Sequence, residues 1–318
     1  MKIIDFATAH IEQALRIAKQ NYETERGFNP ALPPVSEWPD LLPFANNGLG
    51  VSAFDGETML GYLCNVSPFQ NAFGSTGATG VFSPMGANGA VGKNRAEVYA
   101  RLYQAAGEKW AWAGAASHAV CLYAHDKESQ EQFFRYGFGL RCVDAIRDMD
   151  EVSALLCDGY TFEELMPEQY VEVFSLDMLL HRHCLKSPFF MVKPCITEAE
   201  FLEDVGTDRF FVSRKDGRAV AFLCVGQAGE TFIRKMPGYI HADGAYCLLE
   251  HRGKGLLQGL LRLATATLKA EGYKYFGVDF ESINPSAYAF WLKHFTAYTH
   301  SVVRRIDEGA VREVAKWS

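Results

Sequence analysis

The sequence predicts a mixed α/β protein built from two similar halves, 1–152 and 153–318. Three observations carry this: one segment occurs twice, helical and strand-like stretches alternate along the chain, and 318 residues suit two domains of ordinary size. Hydrophobic residues make up 48% of the chain and charged ones 22%, enough apolar material for two cores beneath a solvated surface.

The repeat opens each half in the same way. Val51-Ser-Ala-Phe-Asp55-Gly56, followed by Tyr62-Leu63-Cys64, returns as Val212-Ser-Arg-Lys-Asp216-Gly217, followed by Phe222-Leu223-Cys224. Both copies read as a strand, an Asp-Gly turn and a second strand, which is a hairpin signature. The halves also end alike. Phe133-Phe134, Phe138, Arg147 and Asp150-Glu151 correspond at one constant offset to Phe290-Trp291, Phe295, Arg304 and Asp307-Glu308. Matches at both ends in the same order argue for duplicated domains.

Each half is expected to run helix, hairpin, strand, long helix, strand, short helix, strand. The first helices fall near 7–25 and near 167–185, where Val171, Phe174 and Met178 recur at helical spacing. In the second half the long helix spans about 254–271, with Leu257, Leu260, Leu261, Ala264 and Leu268 as its buried stripe and Gly272 as its stop. A strand over Tyr275–Glu281 follows. Asn284-Pro285 then supplies an N-cap and a first-turn proline for the short helix. The junction between halves is expected between Asp148 and Tyr160.

Composition narrows the partners. A net charge of −7 without a basic stripe argues against nucleic acid. Charges or glycines interrupt every apolar run before it reaches bilayer length, so no membrane span is expected. Met-Lys-Ile-Ile-Asp-Phe at the start lacks an apolar signal region, which points to the cytoplasm. The eight cysteines include no Cys-x-x-Cys pair and mostly sit in apolar runs, as small core residues of a reducing compartment do. His181 and His183 face different sides of a helix, so one metal does not readily take both, and no metal is expected.

The chemistry-bearing stretch is Ala245-Tyr-Cys247-Leu248-Leu249-Glu250-His251-Arg252-Gly253-Lys254-Gly255-Leu256-Leu257. A strand enters a glycine-containing loop that opens directly into an amphipathic helix. The first N–H groups of such a helix lack partners and carry the positive end of its dipole, a preformed anion site. Gly253 and Gly255 let a diphosphate approach the backbone, and Arg252 and Lys254 add charge. The same residues also suit a tight turn with solvated basic side chains, and neither a P-loop nor a dinucleotide fingerprint is present.

Arg252-Gly-Lys-Gly255, between a strand and a long helix, resembles the pyrophosphate loop of the Gcn5-related N-acetyltransferases, Arg/Gln-x-x-Gly-x-Gly/Ala; Leu257 stands at its last small position. Asn284-Pro-Ser-Ala287-Tyr-Ala-Phe290-Trp291, ending in Phe295, is similar to the family's Asn-x-x-Ala-x-x-x-Tyr segment, with Trp291 in place of the tyrosine. Phe133-Phe134-Arg-Tyr-Gly137-Phe138 extends the likeness to the first half, as in tandem members. The resemblance implies two tandem acyl-CoA N-acyltransferase-like (GNAT) domains, each a mixed, mostly antiparallel sheet flanked by helices. It implies acetyl-CoA as co-substrate on residues 252–257, and backbone N–H groups of Cys247 and Leu249 on its pantetheine arm and thioester carbonyl, with Leu248 between them. Asn284 and Trp291 complete the cofactor-binding set, and the acceptor is an amine of a small molecule or peptide. The chain is expected to act as a monomer or homodimer. The loop of the first half, Phe82–Arg95, lacks the Arg-x-x-Gly order and is expected to be degenerate.

Amine attack needs a proton acceptor. Asp279 and Glu281 lie two apart on one strand face, where paired carboxylates could raise one pKa, or could simply be solvated at the strand end. Tyr288 or Tyr298 could protonate the leaving thiolate, or be a packing aromatic. His241 and Asp243 could contact a substrate or form a polar turn with Gly244. A non-catalytic acyl-CoA-binding or sensing protein is the rival reading, because of Trp291 and Leu257.

Overall fold

The computed structural model describes residues 1–74, 77–153 and 157–317. Residues 154–156, inside the expected junction, lie outside the described residues. The chain divides into two compact units, Met1–Asp144 with Ala297–Ser318, and Ala145–Thr296.

The first unit begins with β1 (Lys2–Asp5), α1 (Ile11–Phe28), the short α2 (Leu42–Asn46), β2 (Val51–Asp55) and β3 (Thr58–Leu63). There follow β4 (Gly80–Ser83), β5 (Asn88–Ala90), α3 (Arg95–Trp112), β6 (Ser117–Tyr123), α4 (Lys127–Arg135) and β7 (Gly139–Asp148), in which the boundary between units falls. β1, β2, β3 and β5 form one antiparallel sheet in that order. β4 pairs with β6 in parallel. The last segment, which the repeat assigns to the second half, packs here: β13 (Thr296–Arg305) runs antiparallel to β6, from Thr299 opposite Tyr123 to Arg305 opposite Ser117. α9 (Glu308–Trp317) follows it. The core is aromatic-rich, with Tyr99, Tyr103 and Trp110 of α3 packed with Phe133, Phe138 and Val302.

The second unit contains β8 (Thr161–Glu164), α5 (Val171–Cys184), α6 (Glu198–Val205), β9 (Arg209–Lys215), β10 (Arg218–Gly226), β11 (Tyr239–Cys247), α7 (Leu256–Ala270), β12 (Tyr275–Glu281) and α8 (Pro285–His294). Its sheet order is β12-β11-β10-β9-β8. Neighbours are antiparallel except β11 and β12. Val173, Leu176, Phe201 and Tyr170 cover one face of it together with Phe210 and Phe222. Leu256, Leu260, Leu261, Ala264 and Leu268 are the buried stripe of α7. A Cβ on Gly259 would come 2.5 Å from the Phe162 ring, so α7 lies close on β8 because that position has no side chain.

The expected α/β plan is present in both units. The second hairpin turns on Asp216 and Gly217, both with positive φ (50° and 78°), as a two-residue primed turn requires. The first closes on Gly56-Glu57 instead, one residue out of step, since Asp55 still pairs with Thr58. α1 starts at Ile11 because Thr8–His10 form a 3₁₀ turn. α7 starts at Leu256, two residues later than expected, because Gly255 is left-handed (φ 80°). It stops as expected. The Gly272 N–H donates to Lys269 O and the Tyr273 N–H to Leu268 O, the paired bonds of a Schellman stop. Among the described residues no helix is long and apolar enough to cross a membrane.

Two buried histidines make the first unit acid-sensitive. His118 accepts from Tyr103 Oη at Nδ1 (2.9 Å) and donates from Nε2 to Ala115 O (3.1 Å); burial pushes its pKa down to about 4. Burial does the same to His300, down to about 4, and its Nδ1–H donates to Gln130 Oε1. Both rings bind a proton more readily in the unfolded chain, near pH 6.5. Their contribution is therefore complete above that pH and is lost as pH falls toward 4, by up to roughly 3 kcal/mol each. Urea unfolding followed by circular dichroism at pH 7, 5.5 and 4.5 should show the midpoint falling with pH, and His300→Gln should flatten that fall.

Candidate active site

The site arises where β11 leaves β12. Their parallel ladder covers Tyr239–Ala242 against Tyr275–Val278, while β11 runs on to Cys247 and β12 to Glu281. β11 stays paired with β10 to its end, where Cys247 lies opposite Ala221. At the parting point β11 carries a bulge: Val225 opposes Ala242 and Cys224 opposes Gly244, leaving Asp243 as the extra residue. The Leu248 N–H donates to Val220 O at 3.0 Å, on the β10 side. Alternation along the strand turns the N–H groups of Ala245 and Cys247 to the other side, into the gap.

A 3₁₀ turn at Leu249–His251 carries the chain from β11 to the glycine loop, in which Gly253 (φ 74°) and Gly255 (φ 80°) are both left-handed. α7 has no side-chain cap and no acidic residue in its first turn, so its leading N–H groups are directed out of the helix end without a side-chain acceptor. A Cβ on Gly253 would meet nothing within 4 Å, so the backbone there borders open space. Arg252 folds back, its Nε donating to Cys247 O at 3.0 Å and its guanidinium lying 5.4 Å from the Tyr246 ring centre. Lys254 Nζ donates to Tyr160 Oη (3.0 Å), which lies 2.8 Å from His251 Nδ1.

Loop, strands and α8 enclose a cleft of about 640 Å³. Of the expected cofactor-binding residues, Cys247, Arg252, Gly253, Lys254, Gly255, Leu256, Leu257, Asn284 and Trp291 line it, while Leu248 and Leu249 do not. Leu248 is tied to β10, and Leu249 is exposed at the start of the turn. Asn284 accepts from the Ala287 N–H and caps α8 at the cleft wall. Leu180, His183, Ala245 and Phe290 also line it. Ala245 and Phe290 fall within the two sequence motifs without a role of their own there, and Leu180 and His183 carry only the pattern of an ordinary helix.

The expected catalytic residues are not gathered in this cleft. Tyr288 is partly exposed on α8 with its ring edge to Phe280. Glu281 ends β12, where its charge bears on Cys184, whose thiol pKa is raised chiefly by burial. Asp279 belongs to a hydrogen-bonded chain that begins on β11. His241 is buried, with Nε2 2.8 Å from Asp279 Oδ1 and Nδ1 2.7 Å from Tyr239 Oη. The Asp279 backbone N–H also points at Nε2, at 3.2 Å, so the carboxylate and the amide of one residue converge on that nitrogen. His241 and Asp243 thus lie in a strand and its bulge, not in the polar turn expected as one alternative.

In the first unit the corresponding strand is divided. What is one strand in the second unit, β11, corresponds to two: β4 on β6 and β5 on β3, interrupted at Pro84–Ala87. Asn88 of β5 donates from Nδ2 to Cys121 O of β6 (3.0 Å) and to Ser83 Oγ (3.1 Å). Arg95, at the start of α3, is paired with Asp126 at 2.5 Å.

Residues 177–295 match the family described as the acetyltransferase (GNAT) family. The match covers the glycine loop, the parting strands and α8. The match classes the protein as an acyltransferase enzyme. Two solved structures share the fold over 95% of this chain. One is a GCN5-related N-acetyltransferase from Sphaerobacter thermophilus, 12% identical, with 95% of that chain covered and a TM-score of 0.55. The other is a GCN5-related glucosamine N-acetyltransferase region of a fungal multi-domain GH3 β-N-acetylglucosaminidase, 13% identical, with 38% of that chain covered and a TM-score of 0.51. No curated protein matches the chain.

The Tyr239–His241–Asp279 chain needs a residue without a side chain at Gly277, where a Cβ would fall 1.8 Å from Tyr239 Oη. Gly277→Ala should therefore displace Tyr239 and cost about 1–3 kcal/mol. A lower thermal midpoint checks this, and an unchanged one would show that the tyrosine is not held there.

Proposed function

We propose that this protein transfers an acetyl or other small acyl group from acyl-CoA to the amine of a small molecule or peptide by direct attack. The observation that carries the proposal is the uncapped, glycine-lined start of α7 at one end of a cleft that opens between two parting strands. That arrangement fits a CoA diphosphate. Free N–H groups and the helix dipole favour the anion, Gly253 leaves room at the backbone, and Arg252 and Lys254 supply charge. Bound there, acyl-CoA supplies an activated thioester.

The N–H of Cys247, directed into the gap, holds the thioester carbonyl and stabilises negative charge developing on its oxygen. Asn284 and Trp291 line the arm of the cleft toward α8. Asp279, oriented by His241, draws the cationic form of the amine to the gap, and Glu281 and Tyr288 stand farther along the rim. Trp291 cannot protonate a thiolate, so the thiolate leaves without a protein acid at that position. The first unit serves the fold and not CoA binding, because Asn88 bridges the strands whose counterparts part in the second. Eight free thiols among the described residues suit a reducing cytoplasm.

Calorimetric titration with acetyl-CoA should find one site per chain. Gly255→Glu should abolish it, and Arg252→Ala should weaken it roughly tenfold. Two sites would overturn the assignment of the first unit. Binding without release of CoA thiol toward any of a panel of primary amines would favour a sensor.

A further inference from the structure

We propose that Asp243 takes the proton from the attacking amine, and that Asp208 is the positioning residue that keeps Asp243 basic enough to do so. This inference rests on the acyl-transfer reading above and assigns the proton path that it leaves open.

Asp243 is the residue that the bulge releases from pairing with β10, at the point where β11 leaves β12. From there, one face of β11 passes Ala245 and then Cys247, both in the wall of the cleft. At strand rise, Asp243 lies about 7 Å before Ala245. A proton acceptor there stands beside the gap without occupying the cleft.

Asp208 reaches the same point from the connection between α6 and β9. A Cβ on Gly226, at the end of β10, would lie 2.0 Å from Asp208 Oδ1 and 2.6 Å from Asp243 Oδ2. Both carboxylates thus meet over one position that only glycine can occupy. The other groups that face them are known. Cys224 Sγ lies 3.8 Å from Asp208 Oδ2, and Asp279 approaches from β12. His241 approaches from β11, with both ring nitrogens engaged. On α5, Asp177 bears on Cys224 and is itself paired with His181 at 3.4 Å.

Two neighbouring carboxylates oppose ionisation of Asp243. Although it is an exposed residue, the protein crowding it raises its pKa to about 6, chiefly through lost solvation, and Asp208 and Asp279 add to this while His241 opposes it. Asp208 is itself raised, chiefly by burial. Such a carboxylate is ionised at neutral pH and still holds a proton better than a solvated one.

The step balances with these groups alone. The bound ammonium gives one proton to the Asp243 carboxylate and becomes a neutral amine. Its lone pair forms the C–N bond to the thioester carbonyl carbon as the C–S bond breaks. The sulfur leaves with the bonding pair and takes the second nitrogen proton, giving amide and thiol. Asp243 returns its proton to water.

Two readouts test this. Carboxyl ¹³C titration of the aspartates, with Asp243→Asn to assign the signal, should find Asp243 titrating near pH 6, and Asp208→Asn should move that midpoint to lower pH. For turnover, acetyl-CoA is paired with ethanolamine, spermidine, glucosamine and lysine methyl ester. For whichever of these reacts, kcat/KM should rise through pH 6, and Asp208→Asn should shift the rise to lower pH. Asp243→Asn should lower kcat at least 100-fold at pH 7.5 with acetyl-CoA affinity unchanged. An ordinary carboxylate midpoint for Asp243, an unmoved profile in Asp208→Asn, or more than a tenth of activity in Asp243→Asn would overturn the inference while leaving acyl transfer intact. Wild-type protein that binds acetyl-CoA but acylates none of the four amines would overturn the transfer reading, and the inference with it.

Discussion

β11 is hydrogen-bonded to two neighbours over different stretches, and the site follows from that mismatch. It shares four residue pairs with β12 but stays with β10 to Cys247. A strand in a closed sheet spends its N–H groups on both sides in turn. Here the groups on one side of the last few residues have no strand to meet, so they become available to something else. The bulge at Asp243 makes the divergence local: one extra residue turns the strand and lifts a carboxylate out of the ladder at the same point.

The first unit carries the same two pairings on separate strands, β4 on β6 and β5 on β3. There, proline at position 84 removes a donor and breaks the equivalent strand, and the Asn88 side chain supplies a bond to β6 that backbone would otherwise make. That buried amide ties β5 to β6, strands of two different sheets. The first unit is packed around aromatics, and the second holds the cleft beside the glycine loop.

Features set by neighbouring residues could be read directly. Gly272 stops α7 and Asn284-Pro285 starts α8 because capping is settled within one turn. The loop from Arg252 to Leu257 was legible for the same reason, since glycines and an uncapped helix start are local facts. The proton path was not. Asp208 and Gly226 carry no pattern of their own, and they meet Asp243 only through strand register. Asp279 was singled out for the carboxylate two residues on, whereas its hydrogen-bond partner is His241, on the neighbouring strand. The division of one strand into β4 and β5 was also hidden, because Ser83-Pro84 reads as an ordinary loop. Nor does periodicity say which sheet a final strand will join.

That last strand has a consequence for how the chain is made. β6 is completed by β13, which leaves the ribosome more than 150 residues later. At roughly 5–20 residues per second, β6 waits on the order of ten seconds or more with one edge unpaired. Closing so long a loop carries only a slowly growing entropy cost, so the finished unit loses little stability by it. The vulnerability is one of timing. During synthesis the buried face of β6 is exposed as a strand edge, and that interval is when the chain is most open to pairing with a wrong partner.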